Sequence, residues 1–284
     1  MIYPLFNSLH RHATISLSSQ ARDYKEEIIM TEWVHFLQKI TEETDKIAMR
    51  LFKAHDLGIT IKDNMTPVSQ GDLEIEDHIR HLVKQSQLEI SIIGEEYGET
   101  RSNSNLKLII DPIDGTKNFI RGLPFFATLL AIEEDGEIIA GLVSAPATGD
   151  KWWAEKGKGS FHNGKKIHVS EITSLDKSLA LHGSLFGSEA SNTPEPVISL
   201  LQDSYRQRGF GDYYPHMLVA MGCAEFAFDF KLQIWDIAPL KIIVEEAGGR
   251  FSDTDGVTTI HSGNLITSNG HLHDTVQDRL NGIQ

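Results

Sequence analysis

The chain has 284 residues, 40% of them apolar, and carries 26 Lys plus Arg against 40 Asp plus Glu, a formal charge of −14. Such acidity argues against nucleic acid as a partner, because phosphate backbones are gripped through Lys and Arg, and no apolar run approaches the ~18 residues of a membrane span. A single cysteine, Cys223, excludes an internal disulfide, fits a reducing cytoplasm and reads as a packed core thiol within its apolar surroundings.

Residues 1–29 read as an N-terminal extension outside the domain, either a flexible leader or the product of a start codon upstream of a true start at Met30. Its apolar residues form no signal-peptide core, so export or organelle targeting is not expected. Trp33, Phe36, Leu37, Ile40, Ile47, Leu51 and Phe52 then fall at helical spacing and predict a helix over 31–54, with a second over 72–87. Strands are expected at 89–93, 107–110, 127–133, 137–144, 151–155 and 165–169. The turns Glu134-Asp135-Gly136-Glu137 and Phe161-His162-Asn163-Gly164-Lys165 predict antiparallel hairpins. After about residue 174 strands and helices alternate, with a strand at 179–182, a helix at 194–206 and another opening near Asp236. Residues 30–175 are thus expected to form an α+β half built on an antiparallel sheet, and 176–284 a smaller α/β half.

The acids are placed unusually. In Leu108-Ile109-Ile110-Asp111-Pro112-Ile113-Asp114-Gly115-Thr116, an apolar strand ends in two carboxylates three residues apart, directly before a glycine turn. Hard divalent cations such as magnesium select clustered carboxylate oxygens and commonly share their shell with a substrate phosphate. Alone, the pattern reads more readily as an ordinary capped strand-to-helix turn, since Asp and Gly are common turn residues. Two other segments weigh against that reading. Gly94-Glu95-Glu96 follows another short apolar run, and Trp235-Asp236 opens an apolar helix, with Pro239 expected in its first turn and Gly248 as its stop. Asp236 and Asp72, each near a helix start, also fit a purely capping role.

Together these segments resemble the inositol monophosphatase family of magnesium-dependent phosphatases: Gly94 to Glu96, Asp111 to Thr116 with Asn118-Phe119, Trp235 to Ala238, and Glu246 to Gly249, all in the family's order. The resemblance spans about 31–275 and implies the family's layered sandwich, with the site where the two halves meet. It implies that Glu95, Asp111, Asp114, Asp236 and the main-chain carbonyl of Ile113 hold two to three magnesium ions, Asp111 bridging two of them. Asp72 and Thr116 then match the pair that orients and deprotonates the attacking water, Glu95 joins them as the third catalytic residue, and the amides of Gly115 and Thr116 hold phosphate oxygens. Five site carboxylates, counting Asp72, would repel a phosphate monoester; bound cations reverse that sign. A homodimer and lithium sensitivity follow from the resemblance alone.

The substrate turns on Gly209-Phe210-Gly211-Asp212-Tyr213-Tyr214, followed by Met217-Leu218-Val219-Ala220. This resembles the branch of the family that hydrolyses histidinol phosphate, where inositol-specific members carry a small hydroxyl residue or alanine at the position of Asp212. Asp229, seven residues before Asp236, matches a carboxylate that contacts the alcohol portion of the substrate, and Ser184 is a further candidate contact. Two acids beyond the metal ligands suit the ammonium and imidazole of histidinol better than a polyol. Asp212 could also cap the apolar run beginning at Met217, a role compatible with the first; His216, one turn beyond, could reach the pocket, although a lone histidine there reads more often as a surface or core-edge residue. The expected activity is histidinol-phosphatase, serving histidine biosynthesis. A general inositol or sugar monophosphatase is the second reading and a non-catalytic binder the third.

Overall fold

The computed structural model describes residues 32–52, 58–61, 67–187, 190 and 194–283. The proposed extension at 1–29 lies outside the described residues. The amphipathic helix α1 (Glu32–Leu51) precedes a two-stranded ribbon, β1 (Thr60–Ile61) and β2 (Pro67–Val68), and then α2 (Gln70–Ser86). Eight strands follow: β3 (Ser91–Gly94), β4 (Gly98–Thr100), β5 (Leu106–Asp114), β6 (Ala127–Glu134), β7 (Glu137–Ala145), β8 (Asp150–Glu155), β9 (Gly159–His162) and β10 (Lys165–Ile167), with the short helix α3 (Thr116–Ile120) after β5. They form one sheet in the order β10-β9-β8-β7-β6-β5-β3-β4. Every neighbouring pair is antiparallel except β3 with β5, which corrects the expected all-antiparallel sheet: β4 returns antiparallel along the outer side of β3, so β5 enters on the other side of β3 and runs parallel to it. Both hairpins turn at positive φ, Asp135 with Gly136 and Asn163 with Gly164, as their sequences require.

The second sheet has the order β12-β11-β13-β15-β14. Its members are β11 (Leu179–His182), β12 (Arg206–Gly209), β13 (Phe226–Phe230), β14 (Arg250–Ser252) and β15 (Asn264–Ser268), interleaved with α4 (Pro194–Asp203), α5 (Tyr214–Ala220), α6 (Ile234–Glu246) and α7 (His273–Leu280). β11 runs parallel to both β12 and β13, whereas β15 is antiparallel to β13 and β14. The helix expected to reach residue 206 ends at Asp203, since Arg206 to Gly209 are drawn into pairing with β11.

Three apolar interfaces stack these elements. Leu108, Ile110 and Leu130 face α1 and α2; Ile109, Leu129 and Val143 face α5 and α6 on the opposite side of the same sheet; Phe226, Phe228 and Ile266 meet α4 and α7. Because both faces of β5 are covered, its sequence reads as a continuous apolar run without alternation. α6 lies between the sheets, with Ile237, Ala238, Leu240, Ile242, Ile243 and Val244 all buried and therefore no polar face. It seats closely on β7 because position 141 is glycine: a Cβ there would meet Ile242 Cγ2 at 2.6 Å and the Pro239 carbonyl at 3.0 Å.

Two expectations fail on local grounds. Pro239 sits inside α6, five residues beyond its first residue Ile234, so it withholds an N–H from the helix. Cys223 is exposed, because α5 ends at Ala220 and Gly222 at φ +69° turns the next residue outward.

Candidate active site

The two strand-end acids face the same way only because the strand is irregular. Residues three apart on a regular strand point to opposite faces. On β5 the register shifts between Asp111, opposite Leu129, and Asp114, opposite Ala127, so three steps on β5 match two on β6. Pro112 lies within this bulge, where its missing N–H costs nothing, and its carbonyl accepts the Thr128 hydroxyl at 2.9 Å. Ile110 and Ile113 consequently pack toward α2, while Asp111 and Asp114 turn toward α6.

There they meet Asp236. Asp111, Asp114 and Asp236 each offer a carboxylate oxygen within 4.8 Å of the others. Glu95 lies outside that tight trio but lines the same cavity, as do Ile113, Gly115, Thr116, Ser184, Asp212 and Asp229. Asp72 lies behind the wall, fully buried, and connects through a 3.0 Å hydrogen bond from Thr116 Oγ1 to its Oδ1. The same hydroxyl is 3.0 Å from the Ile113 carbonyl, so one proton is offered two acceptors.

The structure resolves the question of capping in an instructive way. Asp72 is the third residue of α2 and Asp236 the third of α6, and each spends one oxygen on a capping box. Asp72 Oδ2 accepts from the Ser69 amide at 2.8 Å and the Ser69 hydroxyl at 2.6 Å; Asp236 Oδ2 accepts from the Gln233 amide at 2.7 Å. Both acids therefore cap, and the cap is what aims the rest of each carboxylate into the site. Asp212 does not cap α5. Its backbone is left-handed at φ 56°, Tyr213 takes the N-cap position without a side-chain bond, and Asp212 Oδ2 instead accepts from Asn118 Nδ2 at 2.9 Å. The Tyr213 amide is satisfied by Asp114 Oδ2 at 2.7 Å.

Burial pushes the pKa of every acid with a resolved shift in the cavity wall, and that of Asp72 behind it, upward. Asp111 and Asp114 rise well above the usual carboxylate range, first by burial and then by neighbouring acids, Glu95 for Asp111 and Asp212 for Asp114. Asp236 and Asp229 are raised to about 7 and Asp72 and Asp212 to about 6, in each case mainly by burial. Asp111 Oδ1 is enclosed and has no hydrogen-bond partner among the described residues. An all-oxygen donor set crowded against its own repulsion fits a hard divalent cation.

Sequence reasoning did not single out Lys117, Gly183, Lys231 and Leu232, which also line the cavity, or Asn118 in its new role. Lys117 and Asn118 directly follow Thr116 in the sequence, and that proximity is the available signal. Gly183 likewise adjoins Ser184, whereas Lys231 carries no such signal, because only the pairing of β11 with β13 brings its segment to the cavity. His216, expected at the surface or core edge, is buried with Nδ1 2.8 Å from Thr267 Oγ1, and it too borders the cavity.

The sequence model of the inositol monophosphatase family matches residues 29–283. The chain belongs to that family. Among its relatives are a histidinol-phosphatase of Streptomyces coelicolor, 39% identical over 85% of this chain and 94% of the relative, and one of Mycobacterium tuberculosis, 38% identical over 85% and 95%. Solved structures share the fold. An IMPase of Thermotoga maritima superposes with a TM-score of 0.80 at 32% identity, covering 89% of this chain and 98% of that one, and the suppressor protein suhB of Bartonella henselae with 0.81 at 26%, covering 88% and 98%. The family's layered arrangement of two sheets and intervening helices is the architecture described above.

Proposed function

We propose that this protein is a magnesium-dependent phosphate monoester hydrolase whose substrate is histidinol phosphate. One observation carries the substrate assignment: Asp212 and Asp229, neither needed for the Asp111–Asp114–Asp236 trio, line the same cavity, and Asp212 is held there by Asn118 instead of capping a helix. An ammonium or imidazolium group gains a charge-assisted hydrogen bond from each such acid, while a polyol gains less. The names of the relatives from S. coelicolor and M. tuberculosis point the same way.

Glu95, Asp111, Asp114, Asp236 and the Ile113 carbonyl would hold two to three cations, which when bound supply positive charge for the phosphate, a more acidic water and stabilisation of the leaving oxygen. The chain's own residues do the rest. Thr116 Oγ1 passes its proton toward Asp72 Oδ1, 3.0 Å away, and its lone pairs orient the attacking water. Asp72, buried and doubly hydrogen-bonded to Ser69, is fixed for that exchange. The amides of Gly115 and Thr116, at the start of α3, bind phosphate oxygens, and Ser184 contacts the substrate across from them. Asp212 and Asp229 bind the cationic alcohol portion. The division near residue 175 into two halves, a homodimer and a cytoplasmic setting belong to the same proposal; among the described residues no helix is long and apolar enough to cross a membrane.

An inositol or sugar monophosphatase is the competing reading, favoured by the fructose-1,6-bisphosphatase/inositol-1-monophosphatase of T. maritima, 40% identical over 177 residues. Phosphate release from histidinol phosphate, inositol 1-phosphate and fructose 1,6-bisphosphate, with and without magnesium, separates them. A preference for histidinol phosphate of about tenfold or more in kcat/KM supports the proposal; preference for either other ester overturns the substrate, and turnover unaffected by chelation overturns the mechanism.

A further inference from the structure

α2 carries a stripe of three charged residues one turn apart, Asp72, Glu76 and Arg80, along the side that faces Thr116 and the β3–β4 hairpin. Asp72 reaches Thr116. The next member, Glu76, has a side chain with no exposed surface, and it points at the turn that carries Glu95. Glu76 Oε2 accepts from the Glu96 amide at 2.7 Å, and Oε1 from the Tyr97 amide at 3.2 Å. On the other side of Glu95, its own amide donates to the Ile110 carbonyl of β5 at 3.2 Å. The main chain is therefore pinned both before and after the Glu95 side chain.

Arg80 completes the arrangement. Its Nε and Nη2 lie 2.9 and 2.8 Å from Glu76 Oε1, while Nη1 donates to Thr100 Oγ1 at 2.8 Å and Nη2 to the Gly98 carbonyl at 2.5 Å. It thus offsets the buried charge of Glu76, so that this acid does not add to the repulsion in the cavity, and it ties β4 to the same carboxylate. Gly94 leaves the space: a Cβ at that position would overlap the Glu76 carboxylate.

We infer that Glu76 is a positioning residue of the site, its carboxylate fixing the Glu96–Tyr97 main chain so that Glu95 is presented to the cation in one orientation. The inference rests on the metal-dependent reading above. It explains why one helix bears Asp72 and Glu76 together: α2 sets the position of the proton acceptor and of a metal-ligating turn as one rigid unit.

Titration calorimetry of magnesium chloride into the chelator-treated full chain tests it, alongside hydrogen exchange of the Glu96 and Tyr97 amides and thermal unfolding in chelator. Glu76→Gln keeps the shape but places an amide N–H₂ against donors. Its expected result is about tenfold weaker magnesium binding, in the range of losses seen for partners of metal ligands, with faster exchange at those two amides and unchanged protection in β5. Thermal unfolding registers any general loss of packing, which by itself leaves the affinity of the folded protein where it was. Should Glu76→Gln not fold, Arg80→Met removes the counter-charge while leaving both amide contacts, and a weakening in the same direction is expected. Magnesium affinity equal to wild type in a folded variant of either kind overturns the inference. A wild-type chain that binds no magnesium overturns the functional reading, and this inference with it.

Discussion

Asn118 Nδ2 donates both to Asp212 Oδ2 and to the Phe125 carbonyl, each at 2.9 Å, and so fastens the loop before α5 to the beginning of α3. A residue of the turn that follows β5 thereby sets the orientation of an acid 94 positions away in sequence. Under the proposed function, the end of the cavity assigned to phosphate and the acid assigned to the alcohol are joined by one side-chain amide.

Asp212→Asn tests the second of these directly. The substitution preserves size and removes the charge, so a cationic alcohol loses one charge-assisted contact worth about 1.5–3 kcal/mol, or roughly 10–100-fold in kcat/KM. A neutral aryl phosphate should change by less than about threefold. Steady-state kinetics on the two esters decides: equal losses would mean that Asp212 serves the fold or the reaction step instead of recognition.

Thr116→Val retains the volume of the side chain but deletes the hydroxyl between Asp72 and the cavity. Loss of a positioned proton relay costs about 10²–10⁴-fold. The loss should fall on kcat, with magnesium affinity by calorimetry within about twofold of wild type. Weakened metal binding of the same size as the kinetic loss would show that Thr116 acts on the ligand set through its contact with the Ile113 carbonyl.

Much of the candidate site is legible in the sequence. Asp111, Asp114, Glu95 and Asp236 were identifiable because each follows or opens an apolar segment, and the strand, turn and helix signals around them are local. What is not legible is that a cap and a place in the site can coexist. For Asp72 and Asp236 the sequence offers capping or a site role, yet a carboxylate has two oxygens, and each acid uses one for its helix and keeps the other toward Thr116 or the acid trio. The bulge that turns Asp114 to the side of Asp111 leaves no sequence mark beyond Pro112. The boundary at Asp203, the burial of His216 and the exposure of Cys223 depend on pairing with β11, on Thr267 and on where α5 stops, all tertiary facts.

The crowding of Asp111, Asp114 and Asp236 predicts how stability responds to metal. Chelation should abolish turnover and lower Tm, because the buried acids then face one another without compensation. Asp111→Asn removes a charge from that cluster, so in chelator its Tm should equal or exceed that of wild type while the rise on adding magnesium is lost. Calorimetric scans of both proteins, with and without the metal, check this. A large drop in Tm for the variant in chelator would show that Asp111 is held by contacts other than those of a metal site.

His273 gives a pH dependence remote from the acids. Its ring is buried between Ser252 Oγ, 2.8 Å from Nε2, and Ser268 Oγ, 2.9 Å from Nδ1. Burial, reinforced by Arg250 and opposed by Asp274, lowers its pKa to about 4, against about 6.5 in the unfolded chain. Between those values the unfolded state binds the extra proton, so stability falls as the pH drops through that window, by about 1.4 kcal/mol per pH unit for this group. His216, lowered by burial to about 3, contributes with the same sign. Replacing His273 by Gln should cost stability at pH 7.5, through two poorer hydrogen bonds, yet the difference from wild type should shrink steadily toward pH 4.5. Urea unfolding of both proteins across that range measures it. A constant difference would mean that His273 is protonated equally in the folded and unfolded chains.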